Sequence, residues 1–295
     1  MQILCGDTTI GLDHPKADIS FLSHAHADHT AGLKRKKQMM TSQETLDLAG
    51  LGAEIITLQN TRLLDAGHIL GARQLAIENN GEKIVYTGDI CLEPNIFGFK
   101  AEIPECDHLI IEATYGDPSY HFPPVVDVYN QIRGWVKQNY EKNNLIIGCY
   151  HLGKAQEVIK ILNEESVVPV VTEKTDQFCS IYDKYGYKLE RIVVGSDEAE
   201  EVMSRGFVSI LPMNKAKRYF AHKLAQAFDR PTLCAAATGW SLHYQMNVDM
   251  GFPLSDHAGF DDLVRYVNES NAKKVEFFCG DGSAVLRAAK GFLNS

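Results

Sequence analysis

Ser23-His24-Ala25-His26-Ala27-Asp28-His29 packs three imidazoles and a carboxylate into six consecutive positions, directly behind the apolar run Ile19-Ser20-Phe21-Leu22. Neutral imidazole nitrogen and anionic carboxylate oxygen are the donors zinc prefers. On an extended segment His24 and His26 point to one side, as ligands to a single ion must, and Asp28 and His29 just beyond them can turn toward a second ion. The plain alternative is a surface histidine run. The internal position, the fixed offset of the aspartate and the strand-like run ahead of it favour a metal loop.

One loop does not supply enough ligands for a catalytic zinc site, so distant partners in polar or glycine-rich turns are required. His68 lies in Asp65-Ala66-Gly67-His68-Ile69-Leu70-Gly71, and Asp89 closes Tyr86-Thr87-Gly88-Asp89 after an apolar stretch. Alone, either reads as a turn residue. In this order behind the first cluster, they read as ligands.

The succession His-x-His-x-Asp-His, then Gly-His, then Gly-Asp is similar to the metal motifs of the metallo-β-lactamase superfamily. That resemblance implies an α/β protein built as an αββα sandwich, holding two divalent metal ions bridged by a hydroxide, with zinc ahead of manganese as the native metal. It places His24, His26 and His68 on one ion, Asp28 and His29 on the other, and Asp89 between them. Asp13, in Gly11-Leu12-Asp13-His14-Pro15, looks like the preceding aspartate motif, which supports the ligand loop from behind. Ile111-Glu112-Ala113-Thr114-Tyr115-Gly116 resembles the acidic motif of the β-CASP nucleases, and Leu254-Ser255-Asp256-His257-Ala258 their later histidine motif. Leu152-Gly153-Lys154-Ala155-Gln156 and Thr238-Gly239-Trp240 resemble segments of the DNA ligase-associated exonuclease branch. The implied organisation is a discontinuous metallo-β-lactamase domain, residues 1–117 and 250–295, with an α/β β-CASP-like domain inserted at 118–249 to roof the cleft.

The chemistry of the residues agrees with phosphodiester hydrolysis. Two adjacent divalent ions lower the pKa of a shared water and neutralise charge on the phosphate oxygens. With Asp28, the resemblance makes Glu112 and His257 the catalytic group. His257 stands ahead of a helix start, a position suited to phosphate. If Glu112 bonds its imidazole, the charged form is favoured and His257 becomes a general acid for the leaving oxygen. The alternative is that Glu112 satisfies a buried backbone group and His257 caps a helix.

The pattern breaks at Val275-Glu276-Phe277-Phe278-Cys279-Gly280-Asp281, where RNA-processing β-CASP enzymes and the ligase-associated branch carry His-Gly. Cys279 reads as a thiolate ligand, as a small packed replacement, or as the mark of a weak second site. A glycine-flanked cysteine after an apolar strand points to packing.

The bulk numbers frame these motifs. The chain has 295 residues, 45% apolar and 23% charged, which suits two soluble domains. No apolar run approaches the ~18 residues of a membrane span, so no membrane partner is expected. The first residues lack the basic and apolar regions of a signal peptide. Seven cysteines without paired spacing argue against a disulfide framework and for a reducing cytoplasm.

The formal charge of −9 runs against a polyanionic substrate and suits a small-molecule thioesterase or lactonase of the same fold. That reading leaves Glu112, His257 and the inserted domain without purpose. Bound cations add local positive charge that a sequence count ignores. Two basic clusters, Lys34-Arg35-Lys36-Lys37 and Lys215-Ala216-Lys217-Arg218 with Lys223, each read as solvated faces. His151 with Gly153 reads as a structural turn before a helix. The expectation is an exonuclease on single-stranded or frayed DNA ends, with an RNA-processing ribonuclease as the near alternative.

Periodicity predicts strands over 19–22, 55–58, 75–78, 83–87 and 108–112, with a helix opened by the capping-box spacing Thr41-Ser42-Gln43-Glu44 and stopped near Gly50. Farther on it predicts a helix over 125–136, a buried strand over 144–149, a helix over 154–162, a strand over 167–171, a helix over 176–185 and a strand over 192–194. Past His257 it predicts a helix whose apolar face is Phe260, Leu263, Val264 and Val267.

Overall fold

The computed structural model describes residues 1–289, and its internal contacts divide the chain into two units, Met1–His121 with Asp256–Ser295, and Phe122–Ser255. In the first unit, short alternating segments pair into two five-stranded sheets. One runs Gln2–Cys5, Thr8–Leu12, Ile19–Phe21, Gln38–Met40, Glu54–Ile55; the other runs Lys274–Phe278, His108–Glu112, Glu82–Tyr86, Arg73–Asn79, Thr61–Asp65. Ile10, Leu12, Phe21 and Met40 from the first sheet join Leu75, Ile77, Ile84, Tyr86 and Ile110 from the second in one apolar cluster. Each such side chain contributes roughly 1.5–3 kcal/mol on leaving water, and the strand ends that carry the polar motifs are anchored to this shared core.

The helix Gln43–Ala49 begins one residue later than the capping box predicts. Ser42 Oγ accepts from the Thr45 N–H at 3.1 Å while donating to the Gly71 carbonyl at 2.6 Å, whereas Thr41 Oγ1 points away to the Leu22 carbonyl at 2.8 Å. Gly50 ends the helix with φ 62°. The helix Phe260–Glu269 buries Phe260, Leu263, Tyr266 and Val267, so Tyr266 takes the place expected of Val264. The tyrosine can be buried because its hydroxyl donates to Gln74 Oε1 at 2.5 Å.

The second unit is a six-stranded parallel sheet in the order Ile192–Val193, Val170–Val171, Val208–Pro212, Asn144–Cys149, Thr232–Ala237, Met250–Phe252. Asn144–Cys149 is buried along its whole length, as a central parallel strand should be. Val170–Val171 is shorter than predicted, since the Val167 N–H closes the preceding helix on the Leu162 carbonyl and Pro169 has no N–H to pair. Likewise the strand predicted over 55–58 is shorter, Glu54–Ile55, with the Ile56 N–H making the last bond to the Met39 carbonyl. The helix Glu173–Lys184 starts earlier than predicted, with Thr172 accepting from the Thr175 N–H. Met250–Phe252 pairs with Ala235–Ala237, and residues 250–255 belong to this unit by their contacts. Among the described residues, no helix is long and apolar enough to cross a membrane.

Candidate metal centre

The polar motifs of the first unit sit where strands end. Ile19–Phe21 leads into Ser23 and His24, Glu82–Tyr86 into Asp89, and Lys274–Phe278 into Cys279, while Glu112 is the last residue of His108–Glu112. His68 lies in the turn between Thr61–Asp65 and Arg73–Asn79. Gly67 makes that turn possible, for at φ 74° a side chain there would run into the Cys91 carbonyl and the backbone of Lys100 and Ala101.

His24, His26, His68 and Asp89 each bring one donor atom within 4.8 Å of the others. His26 Nδ1 stands 3.1 Å from His24 Nε2 and 3.0 Å from His68 Nε2. Asp89 Oδ2 lies 3.4 Å from His24 Nε2, 3.7 Å from His68 Nε2 and 3.5 Å from His29 Nε2. One carboxylate oxygen thus faces both groups of nitrogens. Asp28 is exposed, with Oδ2 3.8 Å from His29 Nε2, at the solvent side of the cluster.

The other nitrogen of each of three histidines is held from behind, which fixes the ring and leaves Nε2 facing inward. His68 Nδ1 donates to the Asp256 carbonyl at 2.6 Å, His24 Nδ1 meets Ser23 Oγ at 3.0 Å, and His29 Nδ1 bonds Asp13 Oδ2 at 2.7 Å. Asp13 also accepts from the Ser23 N–H, the Ser23 hydroxyl and the Tyr86 hydroxyl. Sequence reasoning missed Ser23, Tyr86 and the Asp256 carbonyl. The first adjoins His24 and the second lies three positions ahead of Asp89, so proximity to the ligand motifs was the available signal.

Burial, reinforced by neighbouring imidazoles, drives the pKa of His24 and of His68 well below the usual histidine range, which keeps their nitrogens available as lone-pair donors. Burial first, then Glu112, pushes the Asp89 carboxyl up to about 7. Lone pairs converging at 3.0–3.1 Å beside a carboxylate that ionises reluctantly make a donor set that a divalent cation would satisfy. The residues present therefore fit nitrogen- and oxygen-preferring metal ions.

Glu112, fully buried, holds His257. His257 Nδ1 lies 3.0 and 2.9 Å from the two Glu112 oxygens, and Glu112 Oε1 also accepts from the Ile90 N–H at 2.7 Å. Glu112 thus satisfies a backbone group and also binds the imidazole, while the helix Phe260–Glu269 is capped at Gly259 and not by the His257 side chain. His257 Nε2 is 4.0 Å from Asp89 Oδ2. Burial alone would lower the His257 pKa, but the Glu112 and Asp89 carboxylates prevail and raise it to about 9.

Cys279 is exposed, not packed as its glycine-flanked setting suggested. Its backbone adopts φ 54°, a left-handed conformation that lifts the residue off the strand end. Partial shielding of its thiol from water by the surrounding chain, and then Asp89 and Glu112 nearby, raise its pKa to about 11. It does not join the groups of donor atoms that converge among the described residues. In the second unit, His151 Nδ1 meets Thr175 Oγ1 at 2.9 Å, and the Gln156 amide bridges the Gly153 N–H and the His151 carbonyl, a self-contained turn.

No family model matches the chain. It is 28% identical over 274 residues to a protein named probable DNA ligase from Opitutus terrae, an alignment covering 87% of this chain and 26% of that protein. It is 29% identical over 155 residues to an RNase J-like protein of Methanocaldococcus jannaschii, covering 51% of this chain and 37% of the relative. It is 22% identical over 299 residues to the mouse DNA cross-link repair 1A protein, covering 86% of this chain and 28% of that one. The chain thus spans about a quarter to a third of the length of these relatives.

Proposed function

We propose that the chain, similar along most of its length to β-CASP nucleases of the metallo-β-lactamase superfamily, is a two-metal phosphodiester hydrolase, an exonuclease acting on single-stranded or frayed DNA ends. The observation that carries the reading is the place of Asp89 Oδ2, within 3.7 Å of His24 and His68 on one side and of His29 on the other. We assign His24, His26 and His68 to one metal ion, Asp28 and His29 to the other, and Asp89 to both. Two bound cations would supply the acidified water and the charge neutralisation that phosphodiester hydrolysis needs.

The chain's own residues supply the rest. Glu112 engages His257 Nδ1, so the imidazole carries its transferable proton on Nε2, the nitrogen on the Asp89 side. There it acts as general acid, giving that proton to the leaving oxygen. Asp13 holds the His29 ring from behind. The two sheets with a common core are read as the inner layers of an αββα sandwich, and the unit Phe122–Ser255 as the inserted β-CASP domain.

Alignment along 87% of this chain with part of a protein named as a DNA ligase supports DNA as the substrate. The similarity to an RNase J-like protein favours the second reading, a ribonuclease. Matched DNA and RNA oligonucleotides labelled at either end, incubated with zinc- or manganese-loaded protein, decide between them. Stepwise shortening of DNA from one end is the expected result, and cleavage of neither polymer overturns the assignment.

A further inference from the structure

The adjacent parallel strands Val208–Pro212, Asn144–Cys149 and Thr232–Ala237 are each followed by a turn or helix start that exposes a tyrosine. These are Tyr219, Tyr150 and Tyr244, which are 70%, 52% and 60% exposed. Among the described residues, no phenylalanine or tryptophan is exposed to that degree. Neighbouring strands lie about 4.8 Å apart, so the rings emerge along one edge of one sheet. It is the C-terminal edge of a parallel sheet, where open α/β sheets bind ligands.

The same edge gathers cations in a chain whose net charge is −9. Lys215, Lys217 and Lys223 are exposed, and no ion pair to an acid is formed by any of them among the described residues. Lys223 Nζ sits 4.7 Å from the centre of the Tyr219 ring, which steadies an aromatic face that would otherwise swing in solvent. Arg218 is not free, since its Nε is paired with Asp249 at 2.9 Å. That pair, with the Arg218 N–H on the Asn247 carbonyl, ties the loop after Tyr244 to the start of the helix Arg218–Ala227. The acidic start of the helix Asp197–Arg205 follows the outermost strand, Ile192–Val193, at the end of the same edge. Its Val202 and Met203 share an apolar cluster with Leu224 and Phe228, while Asp197, Glu198 and Glu200 face solvent and would repel a polyanion from that side.

We propose that this edge is a docking track for single-stranded DNA, with Tyr150, Tyr219 and Tyr244 as stacking platforms and Lys215, Lys217 and Lys223 as phosphate contacts. Exposed rings beside lysines suit unpaired bases, which offer their faces for stacking while the backbone meets the cations. A duplex keeps its bases stacked inside and gains only the phosphate contacts. The inference rests on the nuclease reading for the identity of the polyanion, but it concerns binding and not cleavage.

Fluorescence anisotropy of a short phosphorothioate-linked oligothymidylate, titrated with the full chain at several salt concentrations, tests it. Tyr219→Ala is expected to weaken binding about 5- to 100-fold, and Tyr219→Phe to restore it. Replacing Lys215, Lys217 and Lys223 with alanine should lower the slope of log affinity against log salt by about 2. Replacing Lys34, Arg35 and Lys37, the other exposed basic cluster, should change neither quantity. Equal losses from that control set, unchanged affinity in the tyrosine and lysine variants, or equally tight binding of duplex would overturn the track. If the wild type cleaves while the edge variants bind normally, the track fails and the nuclease stands. If the edge variants lose binding and the wild type cleaves nothing, the nuclease reading fails and the track stands.

Discussion

Glu112 spends its two oxygens on two tasks, since Oε1 accepts the Ile90 N–H while both oxygens face His257 Nδ1. The imidazole is raised to about 9 against burial that works the other way, by Glu112 first and Asp89 next. A general acid works only while protonated, so activity falls as pH rises through its pKa. Glu112→Gln removes the charge but keeps a side chain that can accept from Ile90. The alkaline limb of the pH–rate profile should then move to lower pH, and an unmoved limb would show that His257 is not the acid. Asp28→Asn and His257→Ala should separate in a different way. The first should lower both metal content and turnover, while the second should keep metal nearly intact and cut turnover by roughly 10²-fold or more, as elemental analysis alongside a cleavage assay would show. Cys279 offers a third test, because it is exposed and so open to reagents. If the thiol ligates the second ion, it is held as thiolate and resists alkylation until metal is chelated. Alkylation that is indifferent to chelator, with Cys279→Ala retaining two ions, would remove it from the ligand set.

At the scale of elements, the site depends on turns more than on strands. Gly67 sits at φ 74° with backbone from Lys100 to Ala101 on its Cβ side, so Gly67→Ala should displace His68, cost about 1–3 kcal/mol and weaken metal binding, read by calorimetry together with metal content. That the His24 loop, Gly67-His68 and Gly88-Asp89 bring their donor atoms together was legible in the sequence, because such donors stand in particular residue types within permissive turns. His108–Glu112 and Asn144–Cys149 were legible to the residue, being unbroken or nearly unbroken apolar runs. Thr232–Ala237 was not legible. Its Cys234-Ala235-Ala236-Ala237 stretch has helical propensity and becomes a strand only by pairing with Asn144–Cys149 and Met250–Phe252. Val208–Pro212, which lies between Val170–Val171 and Asn144–Cys149, escaped notice as well. The partners of Asp13 were invisible for another reason: Tyr86 reaches it from 73 positions away, a distance that periodicity does not span. The start at Ser42 was lost because tertiary contacts orient the two hydroxyls, Thr41 toward the Leu22 carbonyl and Ser42 toward the Gly71 carbonyl.

For the molecule as a whole, a charge of −9 looks unsuited to nucleic acid, yet the acids that crowd the centre are those that cations would neutralise. The metal-free protein should reveal this crowding. His29 and His257 are both raised from 6.5 to about 9: burial opposes the shift in each, and Asp13 with Asp89 outweighs it at His29, Glu112 with Asp89 at His257. Folded pKa values above the unfolded ones give stability that is complete below pH 6.5 and lost as pH rises through 9. The melting temperature of chelated protein should therefore fall between pH 6.5 and 9, and zinc should flatten that decline, because bound cations take over from the protons. A chelated protein with constant melting temperature across that window would contradict the charge arrangement. The Glu112–His257 bond joins positions 145 apart, and the His68–Asp256 bond positions 188 apart, with all of Phe122–Ser255 threaded between Glu112 and His257. A ribosome thus delivers His24 to Asp89, and then the whole intervening unit, before His257 exists. The bonds that fix His68 and His257 therefore close only after the whole of Phe122–Ser255 has been synthesised, so the proposed acid is the last of these groups to be put in place.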